Sequence, residues 1–107
     1  MDYIRNDYET ILKRKAAKEE GSYTCYLFEQ GIDKILKKVG EESTEMVIAA
    51  KNNDKDELTG EICDLIYHTL VMMVDRGVTI EDVEAVLHKR AEKSGNLKEF
   101  HKVDKNS

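Results

Sequence analysis

Glu41, Glu42 and Glu45 in the stretch "GEESTE", with Glu61 and Asp64 in "GEICD", set two groups of carboxylates at helical spacing. Carboxylates grouped in this way serve as hard oxygen ligands for a divalent cation, or as acids and bases where one of them keeps its proton. Either use requires the two groups to face each other. Pairs at i and i+3 on two helices packed side by side meet that requirement, and this is how carboxylate metal sites are built inside helical bundles.

The elements that must carry them follow from apolar spacing. Over 32–51, Ile32, Ile35, Leu36, Val39, Met46, Val47 and Ala50 recur at helical intervals. With Val39 as zero, this stripe spans about −40° to +80° of the helix wheel. Glu42 falls at about −60°, Lys38 at about −100° and Glu45 at about −120°, on one flank of the stripe, while Glu41 points away at about 200°. On a lone surface helix, such a flank is a solvated edge. The following segment alters the balance, because Leu58, Ile62, Leu65, Ile66, Leu70, Val71, Met72, Met73 and Val74 make it apolar almost all round. A rod of that kind lies in a core or a subunit interface. Its ionisable residues form one strip, with Glu61, His68, Asp75 and Asp64 between about −40° and −100° from Leu65.

The short link "NNDKD" favours antiparallel packing of these two helices, which lets Glu42 and Glu45 face Glu61 and Asp64. Two carboxylates about 5 Å apart repel by roughly 3 kcal/mol at an effective dielectric near 20. Several such pairs rival the whole stability of a small domain, about 5–15 kcal/mol. Protonation relieves the repulsion. A bound hard cation does so too, and Mg²⁺ in particular keeps several waters and recruits phosphate oxygens.

The remaining elements are helical as well. Ile4, Tyr8, Ile11 and Leu12 predict a first helix running to about Gly21. The segment "SYTCYLFEQG" has the aromatic and β-branched content of a short strand, but Ser22 as N-cap and Gly31 as stop favour a short helix. Asp54 with Glu57 forms a capping-box pattern for the apolar helix, which Gly77 ends; Thr79 with Asp82 is a weaker start signal for a last helix closed by Gly95. The expected fold is all-α, a protomer of four to five helices in one domain over residues 1–95, with a polar tail over 96–107.

Composition excludes several function classes. The 107-residue chain has 22 acidic and 17 basic side chains and a net charge of −5, which disfavours a nucleic-acid partner. No apolar run is long enough to span a bilayer, and the N-terminus lacks a secretory pattern, so no membrane association and a cytoplasmic location are expected. Cys25 and Cys63 fit no metal spacing and are expected as reduced, mostly buried thiols. A core this small, with an apolar helix that one protomer cannot cover, predicts a homodimer.

The pattern E-E-x-x-E followed by E-x-x-D resembles the MazG-type all-α nucleotide pyrophosphohydrolases. Within them, "SYTCYL", "KKVGEE", "AAK" and "DLIYH" are similar to the phosphoribosyl-ATP pyrophosphatase family of histidine biosynthesis, over about residues 4–90. The resemblance implies Mg²⁺-assisted hydrolysis of 1-(5-phosphoribosyl)-ATP to 1-(5-phosphoribosyl)-AMP and pyrophosphate, with Mn²⁺ as a substitute cation. It implies Glu42, Glu45, Glu61 and Asp64 as metal ligands, the cation polarising phosphoryl oxygens and activating a water. Glu41 is a general base or neighbouring group by motif, although the wheel turns it outward. Many relatives carry a preceding cyclohydrolase domain; none is expected here, so a separate cyclohydrolase would take the product.

Other assignments have two readings. Lys38 meets phosphate oxygens or simply pairs with Glu42 or Glu45, and Lys51 is a weaker phosphate contact. Ser22, Tyr23 and Thr24 contact ribose or phosphate, or else serve as helix cap and core packing. His68 bonds a ligand carboxylate or is a satisfied core histidine. Two alternatives to the whole assignment are a house-cleaning nucleoside triphosphate pyrophosphohydrolase and, in another class, a non-catalytic helical dimerisation module.

Overall fold

A computed structural model describes residues 2–93, and the expected tail over 96–107 and the Gly95 stop lie outside them. The described residues form five helices and no strand: α1 (Tyr3–Ala16), α2 (Tyr23–Gln30), α3 (Ile32–Lys51), α4 (Lys55–Arg76) and α5 (Ile80–Glu92). The most extensive packing is between α3 and α4, with α1 against α4 and α2 against α3 and α1.

Local chemistry explains most boundaries. Asp2 caps α1, its side chain accepting from Arg5 N–H at 3.0 Å. That helix ends at Ala16, short of the expected Gly21, and Ala17 is extended. The stretch beyond it offers no large apolar side chain to bury, and helix propensity alone sustains little without packing. The loop is held instead by Cys25, whose Sγ accepts from Glu19 N–H at 3.3 Å. The second segment is a helix and not a strand, with Ser22 as its cap and Gly31, at φ 93°, as its stop.

Asp54 caps α4 by accepting from Glu57 N–H. The full reciprocal box forms at the start of α5, where Thr79 Oγ1 accepts from Asp82 N–H and Asp82 accepts from Thr79 N–H. The relative strength expected of the two signals is thus reversed. Gly77, at φ 76°, takes the left-handed position that ends α4, and the following Val78 N–H reaches back to Met73 O.

The core joins Tyr8 and Ile11 of α1, Leu27 of α2, Ile35 of α3, and Leu70, Val71 and Val74 of α4. On α3 the buried positions are Ile35, Glu42 and Ala49, a line of sevens, whereas Leu36 and Val47 are exposed. The core therefore lies under the acidic flank of the predicted stripe, and the far edge of that stripe is uncovered. On α4, full burial is confined to His68, Leu70, Val71 and Val74, and Ile62 is exposed. The all-round burial expected of this helix is not reached within one protomer. Cys25 is buried but Cys63 is exposed, which corrects the expectation of two mostly buried thiols. No residue of α5 is buried. Arg5 pairs with Glu81 and Glu84, and the Tyr8 hydroxyl donates to Val78 O at 2.9 Å, tethering the start of α5 to α1.

Candidate active site

The three-residue link Asn52–Asp54 reverses the chain, with Asn53 at φ 58° in the left-handed region that asparagine tolerates. Glu45 lies six residues before the end of α3 and Glu61 six residues after the start of α4, so the reversal brings both to the same level. One oxygen from each of Glu42, Glu45 and Glu61 lies within 4.8 Å of the others. Glu42 is buried, Glu61 half-buried and Glu45 exposed, so the trio runs from the core to solvent.

Glu42 Oε2 and Glu61 Oε2 are both buried with no hydrogen-bond partner. With both groups ionised, neither oxygen has a donor. A proton on Glu61 relieves this by bonding to Glu42, and the Glu61 carboxyl is pushed up to about 7, first by that bond, then by burial, then by Glu45. An all-oxygen set with two orphaned buried acceptors fits a hard divalent cation as well as it fits a proton.

The other predicted residues occupy distinct places. Asp64, one turn beyond Glu61, is exposed and its carboxylate is not part of the close trio. Glu41 is exposed, as its wheel position required, and it is the partner of Lys38 at 3.9 Å; Lys38 pairs with neither Glu42 nor Glu45. Lys51 is exposed in the last turn of α3.

His68 is buried, and it bonds no carboxylate. Its Nδ1 lies 2.9 Å from the carbonyl oxygen of Asp64, which only accepts, so Nδ1 carries the proton. In the neutral ring, Nε2 is then an acceptor, and the Tyr23 hydroxyl donates to it at 3.1 Å. Thr24 Oγ1 pairs with the Tyr67 hydroxyl, and burial holds that phenol above its usual range. Tyr26 and Tyr67, which sequence reasoning passed over, complete an aromatic cluster with Tyr23 and His68. The signal was present: Tyr23 and Tyr26 stand at i and i+3, and Tyr67 is adjacent to His68.

Facing helices of an all-α bundle that converge carboxylates on one oxygen-only cluster define a class of protein, and sequence comparison narrows it. The Phosphoribosyl-ATP pyrophosphohydrolase family matches residues 5–91. The chain is 56% identical over 98 residues to the phosphoribosyl-ATP pyrophosphatase of Clostridium novyi, covering 92% of this chain and 89% of that protein. It is 54% identical over 97 residues to that of Streptococcus gordonii, covering 91% and 93% respectively. A histidine biosynthesis bifunctional protein of Oceanobacillus iheyensis is 59% identical over 90 residues, which are 83% of this chain and 42% of that one. The chain belongs to the phosphoribosyl-ATP pyrophosphohydrolase family.

Proposed function

We infer that this protein hydrolyses 1-(5-phosphoribosyl)-ATP to 1-(5-phosphoribosyl)-AMP and pyrophosphate, a step of histidine biosynthesis in the cytoplasm. Family membership supports the substrate. The observation that carries the chemistry is the close trio Glu42, Glu45 and Glu61 with two buried oxygens lacking donors. An acidic cleft repels a triphosphate unless a cation stands between them. Mg²⁺ is the proposed cofactor, held by Glu42, Glu45 and Glu61 with Asp64 as a further ligand; when bound, it would polarise the phosphoryl oxygens and activate the attacking water.

The roles left to the chain are orientation and charge. The buried position of Glu42 fixes its carboxylate, and exposed Glu45 leaves the solvent side open for substrate. Lys38, on the same flank, offers an ammonium to phosphate oxygens, and Glu41 holds that ammonium in place at 3.9 Å. Glu41 is thereby proposed as a neighbouring group and not a ligand. The product is a cyclohydrolase substrate.

A homodimer is proposed from the uncovered half of the α3 stripe, Leu36 and Val47, together with Ile62 of α4. Among the described residues, no helix is long and apolar enough to cross a membrane.

Product analysis in ¹⁸O-labelled water with phosphoribosyl-ATP and Mg²⁺ tests substrate and bond together. Phosphoribosyl-AMP and pyrophosphate as the products uphold the assignment, and equal kcat/KM for ordinary nucleoside triphosphates overturns it in favour of a house-cleaning enzyme. Glu45→Gln separates catalysis from a mere dimerisation module, because a solvated rim binds Mg²⁺ weakly and is indifferent to the change.

A further inference from the structure

The three hydroxyls that the stretch Ser22–Thr24 offers a substrate are already engaged by the protein. Ser22 Oγ accepts the Cys25 N–H at 3.2 Å, Tyr23 donates to His68, and Thr24 pairs with Tyr67. What they leave open is ring surface: Tyr23 is 44% exposed and Tyr26 41%. Tyr26, Tyr23 and Tyr67 form a ladder of near-parallel rings, with successive centroids 6.0 and 6.2 Å apart and planes inclined by 25° and 28°. His68 meets Tyr23 and Tyr67 edge-on, at 86° and 82°. Hydrogen bonds on Tyr23, the middle ring, and on Tyr67, one end of the stack, hold those rings in one orientation, which lowers the entropy cost of binding against them.

The ladder borders an open groove of about 820 Å³, within the range of small-molecule sites. Glu19, Glu20 and Glu29 line that groove against Lys18, an acidic balance that suits an uncharged aromatic ring better than a phosphate. Tyr23, on the wall of the groove, bonds His68, and through His68 the groove is related to the carboxylate trio. His68 follows Glu61 by seven residues on α4, so the two lie on nearly the same helix face, about 10 Å apart along the axis. That span is within the reach of one nucleotide, its phosphates at the trio and its base at the rings.

We propose that Tyr23 and Tyr26 form the platform on which the purine ring of the substrate stacks, and that His68 and Tyr67 are positioning residues that fix the platform to α4. The proposal rests on the nucleotide-hydrolysing reading above and assigns the part of the substrate that these rings bind. Base–aromatic stacking is tolerant of base identity, so the platform supplies affinity, and the phosphates supply register.

The test uses the full chain with Mg²⁺. The protein has no tryptophan, and three of its five tyrosines form the ladder, so tyrosine fluorescence, corrected for absorption by the nucleotide and compared with that of Tyr26→Leu, reports the platform. ATP is expected to quench it, whereas inorganic tripolyphosphate binds without quenching. Tyr26→Leu should raise KM for phosphoribosyl-ATP by about 10-fold or more, the scale of one lost stack, with a much smaller change in kcat and unchanged affinity for tripolyphosphate. Tyr23→Phe and His68→Asn should each raise KM by a few-fold, and the double variant by no more than His68→Asn alone, because the bond that Tyr23→Phe removes is already broken there. Unaltered KM in Tyr26→Leu, or equal quenching by ATP and tripolyphosphate, overturns the platform. So does sedimentation showing that Tyr26→Leu separates subunits, which would make the rings an interface. Failure of tripolyphosphate to bind with Mg²⁺ would instead overturn the catalytic reading itself.

Discussion

Glu42 on α3 and Glu61 on α4 each bury an Oε2 atom that no donor reaches, on facing helices and within one carboxylate trio. A fold does not retain such a pair for its own stability, because unpaired buried acceptors cost free energy that apolar side chains of similar size would not. On the proposed function, the pair is kept for the cation it would hold.

Glu61 titrates at about 7 in the folded chain against an ordinary value of 4.5. Between those values the folded state holds more protons than the unfolded one, so stability falls as pH rises across the window. Thermal melts in EDTA should show Tm decreasing from about pH 4.5 to about pH 7 for this reason. Added Mg²⁺ should reverse the trend near neutrality, because a cation that binds only the folded, ionised trio stabilises it by mass action. A flat profile in EDTA, unaltered by Mg²⁺, would count against the trio.

Glu42→Gln gives opposite signs for stability and activity. The amide removes one charge and supplies an N–H donor to Glu61, so the metal-free protein should melt higher than the unsubstituted one. Activity should fall by about 100-fold or more, the scale of losing one charge-stabilising group at a reacting centre. A calorimetric melt paired with a pyrophosphate-release assay checks both; loss of stability together with activity would make Glu42 a simple packing residue.

The helices, their order and the facing carboxylates were legible in the sequence because each rests on local signals: Ser22, Asp54 and Thr79 as caps, Gly31 and Gly77 as stops. Which part of the α3 stripe meets the core was not legible. Leu36 and Val47 are as apolar as Ile35, and a wheel weights them equally, yet tertiary packing covers only the side bearing Ile35, Glu42 and Ala49. Glu42 was therefore expected on a flank and is found in the buried line. The end of α1 was misplaced because "KEEG" has helical propensity without anything to bury. The partners of His68 were hidden too, since Tyr23 lies 45 residues away.

The start of α5 offers a local test of capping. Thr79 and Asp82 satisfy each other's backbone donors, and those bonds hold the Asp82 carboxyl below its ordinary 3.8. Thr79→Ala should cost about 1 kcal/mol of helix stability. No residue of α5 is buried, so the loss should appear as faster amide exchange over Ile80–Glu92 and hardly at all in the global Tm. Acidification adds to it: the Asp82 contribution is complete above its ordinary value and is lost as pH falls through the lowered one. Equal exchange in both proteins would show that the ion pairs from Arg5, and not the cap, hold this helix.

One protomer leaves part of its apolar surface bare. Leu36 is 47% and Val47 62% exposed on α3, and Ile62 is 39% exposed on α4. Leu36 and Val47 lie on one face of α3, Ile62 lies on the helix most extensively packed against it, and their burial in a second copy would return the all-round coverage that the α4 sequence demands. Hiding such side chains twice over, once per subunit, supplies the apolar driving force that must offset the lost freedom of two subunits. Sedimentation velocity should therefore give a dimer, and Val47→Glu should give a monomer with unaltered helical circular dichroism, since Val47 contributes little to the protomer core. A monomeric unsubstituted chain would refute the interface. If instead Val47→Glu remains dimeric while Leu87→Glu does not, the contact runs through the exposed apolar face of α5, where Val83, Val86 and Leu87 border a second groove.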